Sequence, residues 1–231
     1  MTIAVFHGSP RKGNTYHATK LFMDALSQCG EVHYTEFFLP KDLPAFCIGC
    51  TLCFSGSHDK CPNAQYRTPI LDAIIHADAL VFATPHYGAC SMPGAMKNLF
   101  DHIDSLVLTV EPRAELFDKK AFIITTGAGS TAAIKPIKSF LKHCGVNRVY
   151  SLGFRLLTDK WSNMPEAKQA RYKTSLRKAA QTFYQAKKGR PYLSTILFYH
   201  IVKSVVMKRI GEGNYPYEHW KEKGYFKKRP F

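Results

Sequence analysis

Thr2-Ile3-Ala4-Val5-Phe6-His7-Gly8-Ser9-Pro10-Arg11-Lys12-Gly13-Asn14-Thr15 sets a short apolar, β-branched run against a glycine-bearing loop, and from about residue 16 to residue 29 the chain keeps a helical period. Strand, loop and helix in that order open a βαβ unit, and backbone N–H groups together with the helix dipole favour an anion at such a loop. The spacing imitates the G-x-x-x-x-G-K-[ST] pattern of nucleoside-triphosphate loops, but Asn14 stands where the lysine would neutralise the outer phosphates. A single phosphomonoester asks for less: the hydroxyls of Ser9 and Thr15, the Asn14 amide, the backbone around Gly13, and Arg11.

Working outward, apolar runs at 32–37, 79–84, 121–126 and 148–154 alternate with helical patterns near 69–75, 95–106 and up to about 145. Five strands joined by crossovers predict a doubly wound α/β fold with a parallel sheet in the order 2-1-3-4-5, whose ligands sit outside the carboxyl ends of the strands at the switch point. Loops 8–15, 85–94 and 126–131 are expected to converge there. In the second, Pro85, His86, Tyr87 and Gly88 offer an aromatic contact and close backbone approach to a flat ring. In the third, Thr126, Gly127, Ala128 and Gly129 offer backbone donors to a ring edge where negative charge gathers on reduction. FMN has such a phosphate at one end of a flat redox ring; a simple turn is the alternative for each loop.

These residues resemble a family. Gly8-Ser9-Pro10-Arg11-Lys12-Gly13-Asn14-Thr15, Pro85-x-Tyr87-Gly88 and Met92-Pro93-Gly94-x-x-Lys97-Asn98-x-x-Asp101 are similar to the NAD(P)H-dependent FMN reductase branch of the flavodoxin-like proteins, over residues 1–155. The resemblance implies that the first loop binds the FMN phosphate, that the other two surround the isoalloxazine, and that NAD(P)H is a co-substrate. One departure is His102, where the family commonly has arginine after the aspartate.

Cys47-x-x-Cys50-x-x-Cys53 followed by Cys61 gathers four thiols in one loop, the number required by a [4Fe-4S] cubane or a structural zinc. Three sulfurs at three-residue steps suit one face of a cubane, whereas structural zinc more often draws two separated knuckles; a loop that binds neither is the remaining alternative. The pattern also looks like that of the iron-sulfur flavoproteins, as does Tyr217-x-x-Trp220-x-x-x-Gly224 in the tail, and in that subgroup the corresponding cysteines bind [4Fe-4S]. Cys29 and Cys144 read as small buried hydrophobes, and Cys90 is assigned no redox role.

The formal net charge of +15 is local: residues 155–231 carry 18 Lys/Arg against 5 Asp/Glu, while residues 1–154 carry 14 against 12. That basicity reads as a solvated helix face rather than a nucleic-acid surface, with a membrane-surface or nucleic-acid partner kept as an alternative. The apolar stretch 192–210 holds His200 and Lys203 and is a poor span; an amphipathic helix packed on the body or a partner subunit is expected. The expected organisation is an FMN-binding domain over 1–188 and a helical, aromatic extension over 189–231. The expected protein is a cytoplasmic homo-oligomer, a dimer or tetramer, that passes electrons from a reduced nicotinamide or one-electron donor to a small-molecule or protein acceptor. A non-enzymatic FMN shuttle is the rival.

Overall fold

Residues 3–6, 79–83 and 121–124 are buried without a break, because a central parallel strand is covered on both faces. In the computed structural model, which describes residues 1–87, 91–129, 131–187 and 191–231, they belong to a five-stranded parallel sheet. Its strands are Thr2–His7 (β1), His33–Phe38 (β2), Ala79–Pro85 (β3), Lys120–Gly127 (β4) and Arg148–Arg155 (β5), in the order β2-β1-β3-β4-β5. This is the flavodoxin-like architecture that the sequence predicts.

The main helices of the doubly wound unit are Asn14–Ser27 (α1), Ala64–His76 (α2), Gly94–His102 (α3), Ile134–His143 (α4) and Glu166–Gln185 (α5). Strand alternation sorts them into two layers. Ala4, Phe6, Leu80, Phe82 and Ile123 pack with Ile70, Leu99 and Ile137 of α2, α3 and α4. Ile3, Val5, Val81, Phe122 and Ile124 pack with Phe22 of α1 and with Leu176 and Phe183 of α5.

Helix α2 begins at Ala64, well before the expected start near Pro69. Its first turn is nucleated by the Asn63 carbonyl, which accepts the N–H groups of Tyr66 at 3.1 Å and Arg67 at 2.9 Å. Proline is favoured at a first helical position, yet here Pro69 lies inside the helix, where its missing N–H forgoes one bond.

The C-terminal chain forms Leu193–Ile201 (α6), continued by a π-helical turn at Val202–Val206 and by Met207–Ile210, then Tyr215–Glu222 (α7). Tyr199, Val202, Met207, Trp220 and Tyr225 close over Leu108 and Phe117 as a third apolar cluster. Polar anchors fix it: Trp220 Nε1 donates to the Leu108 carbonyl at 3.2 Å, and Thr195 Oγ1 donates to Asn147 Oδ1 at 2.7 Å. The expected boundary at 188/189 lies outside the described residues. Among those described, no helix is long and apolar enough to cross a membrane.

Candidate functional site

Three loops meet at the carboxyl ends of β1, β3 and β4, and hydrogen bonds lock them together. The Gly8 N–H donates to the Ala83 carbonyl at 2.8 Å, and the His86 N–H to the Thr126 carbonyl at 2.7 Å. Thr15 Oγ1, at the start of α1, lies 2.6 Å from Thr126 Oγ1. The cleft between them has a volume of about 390 Å³ and is lined by Ser9, Arg11, Gly13, Asn14, Thr15, Pro85, His86, Tyr87, Thr126 and Gly127, with Leu156, Thr158 and Asp159 from the segment after β5.

Of the residues singled out in the sequence, Ala128 and Gly129 stand outside that lining, and Gly88 lies outside the described residues. Gly127 adopts φ +134°, and a Cβ there would approach the His86 backbone oxygen at 3.1 Å, so glycine is what lets the second and third loops touch. Sequence reasoning missed Leu156, Thr158 and Asp159; their only signal was their position just past the carboxyl end of the last strand.

Helix α1 starts at Gly13 with no side chain capping it, which leaves its first N–H groups directed at the cleft. A Cβ built on Gly13 meets nothing within 4 Å, so there is room at that point. The Asn14 amide is not the free donor the sequence suggested: its Nδ2 donates to the carbonyls of Thr158 at 2.9 Å and Asp159 at 3.3 Å. Asn14 Oδ1 and Thr158 Oγ1 are left buried without a partner. An anion at the amides and a polyol donating to Asn14 Oδ1 would complete these valences, so the residues present fit a phosphate-tailed ligand such as FMN.

His7 ends β1 beneath this loop, 3% exposed, with Nε2 at 2.8 Å from Glu36 Oε2. Burial pushes its imidazole below the ordinary value and outweighs the pull of Glu36. His17, His102 and His219 are lowered as well, each chiefly by burial. The unfolded chain therefore binds more protons than the folded one as pH falls through about 6.5, and stability from these groups is lost in that direction. Denaturant melts at pH 7.5 and 5.5 should show a lower midpoint in acid; an equal or higher one would contradict the assignment.

The cysteine loop is suspended from α3 and from the start of α2. Asn98 Oδ1 accepts the Cys47 N–H at 3.0 Å while its Nδ2 donates to the Ala45 carbonyl at 3.0 Å, and Asn63 Nδ2 donates to the Phe46 carbonyl at 3.1 Å. His102, the departure from the family pattern, turns Nε2 to the Ala45 carbonyl at 3.1 Å, so it supports this loop through one hydrogen bond. Cys47, Cys50, Cys53 and Cys61 line one cavity of about 290 Å³ together with Arg67, Asp101, His102 and Asp104. From the other side the Tyr215 ring packs on the loop, 2.5 Å from where a Gly56 Cβ would stand, at φ +77°.

Among the described residues, no group of three or more His, Cys, Asp or Glu side chains converges closely enough to hold a metal ion. In a cubane each thiolate binds a different iron and the sulfurs stand a cluster's width apart, so four thiols around one cavity suit that donor set. Burial pushes the Cys53 thiol up while Arg67 pulls it down.

A doubly wound sheet with an uncapped helix start and a cleft at its switch point is the arrangement of α/β proteins that bind phosphate-bearing ligands there. The family pattern of the NADPH-dependent FMN reductases matches residues 1–160, and the chain belongs to that family. It is an FMN-dependent, NAD(P)H-dependent oxidoreductase. It is similar to an iron-sulfur flavoprotein of Clostridioides difficile (strain 630), 27% identical over 236 residues that cover 97% of this chain and 99% of that protein. Two solved structures share the fold. The apo form of an NADH:FMN oxidoreductase matches with TM-score 0.57 and 21% identity, covering 84% of this chain and 92% of the other. An NAD(P)H:quinone oxidoreductase from Methanothermobacter marburgensis matches with TM-score 0.62 and 15% identity, covering 80% and 98%.

Proposed function

We propose that the chain is an iron-sulfur flavoprotein, holding FMN in the cleft and a [4Fe-4S] cluster on Cys47, Cys50, Cys53 and Cys61, and passing electrons from NAD(P)H to a quinone or a one-electron carrier. The observation that carries the flavin assignment is the uncapped start of α1, opening onto a cleft walled by Ser9, Thr15, Tyr87, Thr126 and Gly127. FMN, when bound, supplies both one- and two-electron transfer.

The chain's own residues position and shield. Ser9, Arg11 and the amides around Gly13 and Asn14 hold the phosphate, with the Thr158 hydroxyl free to donate and Asn14 Oδ1 free to accept. Pro85, His86 and Tyr87 bound the ring, the last 43% exposed and available for stacking with a donor or acceptor. Four thiols on one cavity, and the likeness to an iron-sulfur flavoprotein, support the cluster. Leu193, Leu197, Ile201 and Val205, four residues apart on α6 and its continuation, form an exposed apolar ridge that supports a homo-oligomer. The described cysteines are free thiols, which suits a reducing cytoplasm.

Protein purified without oxygen should contain FMN, iron and sulfide, and should oxidise NADH or NADPH when a quinone is supplied. Negligible turnover by a flavin-loaded sample would defeat the enzymatic reading, and FMN without iron would defeat the cluster. Sedimentation of the same sample as a monomer would defeat the homo-oligomer.

A further inference from the structure

Arg67 is 2% exposed, in the early turn of α2 where the chain departs from the proline-based expectation. Each nitrogen of its guanidinium has one partner, none of them a carboxylate: Nε donates to the His102 carbonyl at 2.6 Å, one terminal nitrogen donates to Ser105 Oγ at 2.9 Å, and the other lies 3.1 Å from His58 Nδ1. Among the described residues, no carboxylate forms an ion pair with it. Asp101, on the same cavity, is taken by Lys97, and the burial-raised carboxyl of Asp104 is influenced by Asp101, Lys97 and His143.

One step further out, His58 Nε2 lies 2.7 Å from Glu111 Oε2, poorly aligned for a hydrogen bond, and the other oxygen of Glu111 is paired with Arg113. Glu111 is 2% exposed. The fully buried charges of the network are thus Arg67 and Glu111, held apart by His58, while Arg113 is about a third exposed and is solvated beside Glu111. A buried cation with no anion in direct contact is costly to fold around, so the Arg67 guanidinium points to an anion that the folded protein is built to receive beside it. Arg67 lines the cavity of the four cysteines, whose thiolates are the anions available there.

We propose that Arg67 is the fixed counter-charge of the cysteine-bound cluster, a positioning residue that keeps its reduction potential high. The inference rests on the cluster reading above. Reduction adds one electron to the cluster and breaks no bond, so the site becomes more negative by one charge. A guanidinium held by three partners cannot swing away, and it stabilises that added charge. Removing the cation should therefore make the cluster harder to reduce, whereas removing the network's one carboxylate should make it easier.

The test is a dithionite titration of the anaerobically purified full chain, followed by the paramagnetic signal of the reduced cluster, with iron and sulfide measured on each sample. Arg67→Met should shift the midpoint down, Arg67→Lys should keep it near the parent value, and Glu111→Gln should shift it up. Should Arg67→Met fail to fold or load, the upward shift in Glu111→Gln together with an unshifted Arg67→Lys still supports the charge argument. An unchanged midpoint in fully loaded Arg67→Met, or a downward shift in Glu111→Gln, overturns it. A parent protein with FMN but neither iron nor sulfide overturns the cluster reading and this role with it, an outcome distinct from equal midpoints in loaded samples.

Discussion

Gly13→Asp will release the flavin without loosening the fold. Gly13 is the residue before α1, with φ −87°, on the side of the map that L-residues adopt, and its Cβ direction is open to at least 4 Å. Aspartate is among the preferred residues at that position, where its carboxylate accepts the first helical N–H groups, so the flavin-free protein should melt at or slightly above the parent temperature. The same carboxylate takes the amides a phosphate would use and adds a like charge beside it. Even in a partly solvated setting this is worth about 3 kcal/mol or more, a loss of FMN affinity on the order of 100-fold. Equilibrium titration with FMN reads the affinity, and thermal melts with and without FMN separate it from stability. Retention of full-strength binding by Gly13→Asp would place the phosphate elsewhere.

Trp220→Ala is expected to cost about 3–5 kcal/mol, the range for removing a buried large aromatic side chain. Trp220 is fully buried, its ring stacks on Tyr199 at 5.5 Å and meets Tyr225 edge-on at 6.0 Å, and its Nε1 satisfies the Leu108 carbonyl. For a chain of this length the loss corresponds to a melting point lower by on the order of 10 °C. Leu157→Ala supplies the contrast, since that side chain is 76% exposed and lies off the apolar ridge, and its removal should change stability by about 0.5 kcal/mol or less. Calorimetry of the two variants side by side checks both. A Trp220→Ala protein that melts with the parent would mean the C-terminal helices add nothing to the folded body.

The sheet was legible because its central strands, covered on both faces, spell apolar runs that alternate with helix-period segments, and that alternation suits the doubly wound order. The cleft was legible where its residues sit in loops directly after β1, β3 and β4. What was not legible depends on contacts between distant positions. Asn14 reads as a phosphate donor in its own loop, but its amide is committed to carbonyls at Thr158 and Asp159, more than 140 positions away. The four cysteines are plain in the sequence, whereas their supports, Asn63, Asn98 and His102, belong to other segments and declare themselves only through bonds to the loop's backbone. Arg67 is hidden in the same way, because a proline two residues later suggests that the helix has not yet begun.

The Tyr215 ring lying against Gly56 also sets an order of events during synthesis. A ribosome releases the cysteine loop long before it makes the residues that brace the loop's outer side, since chains emerge amino end first. The loop thus goes without that brace throughout translation and gains it only when the final stretch has been released and folded back.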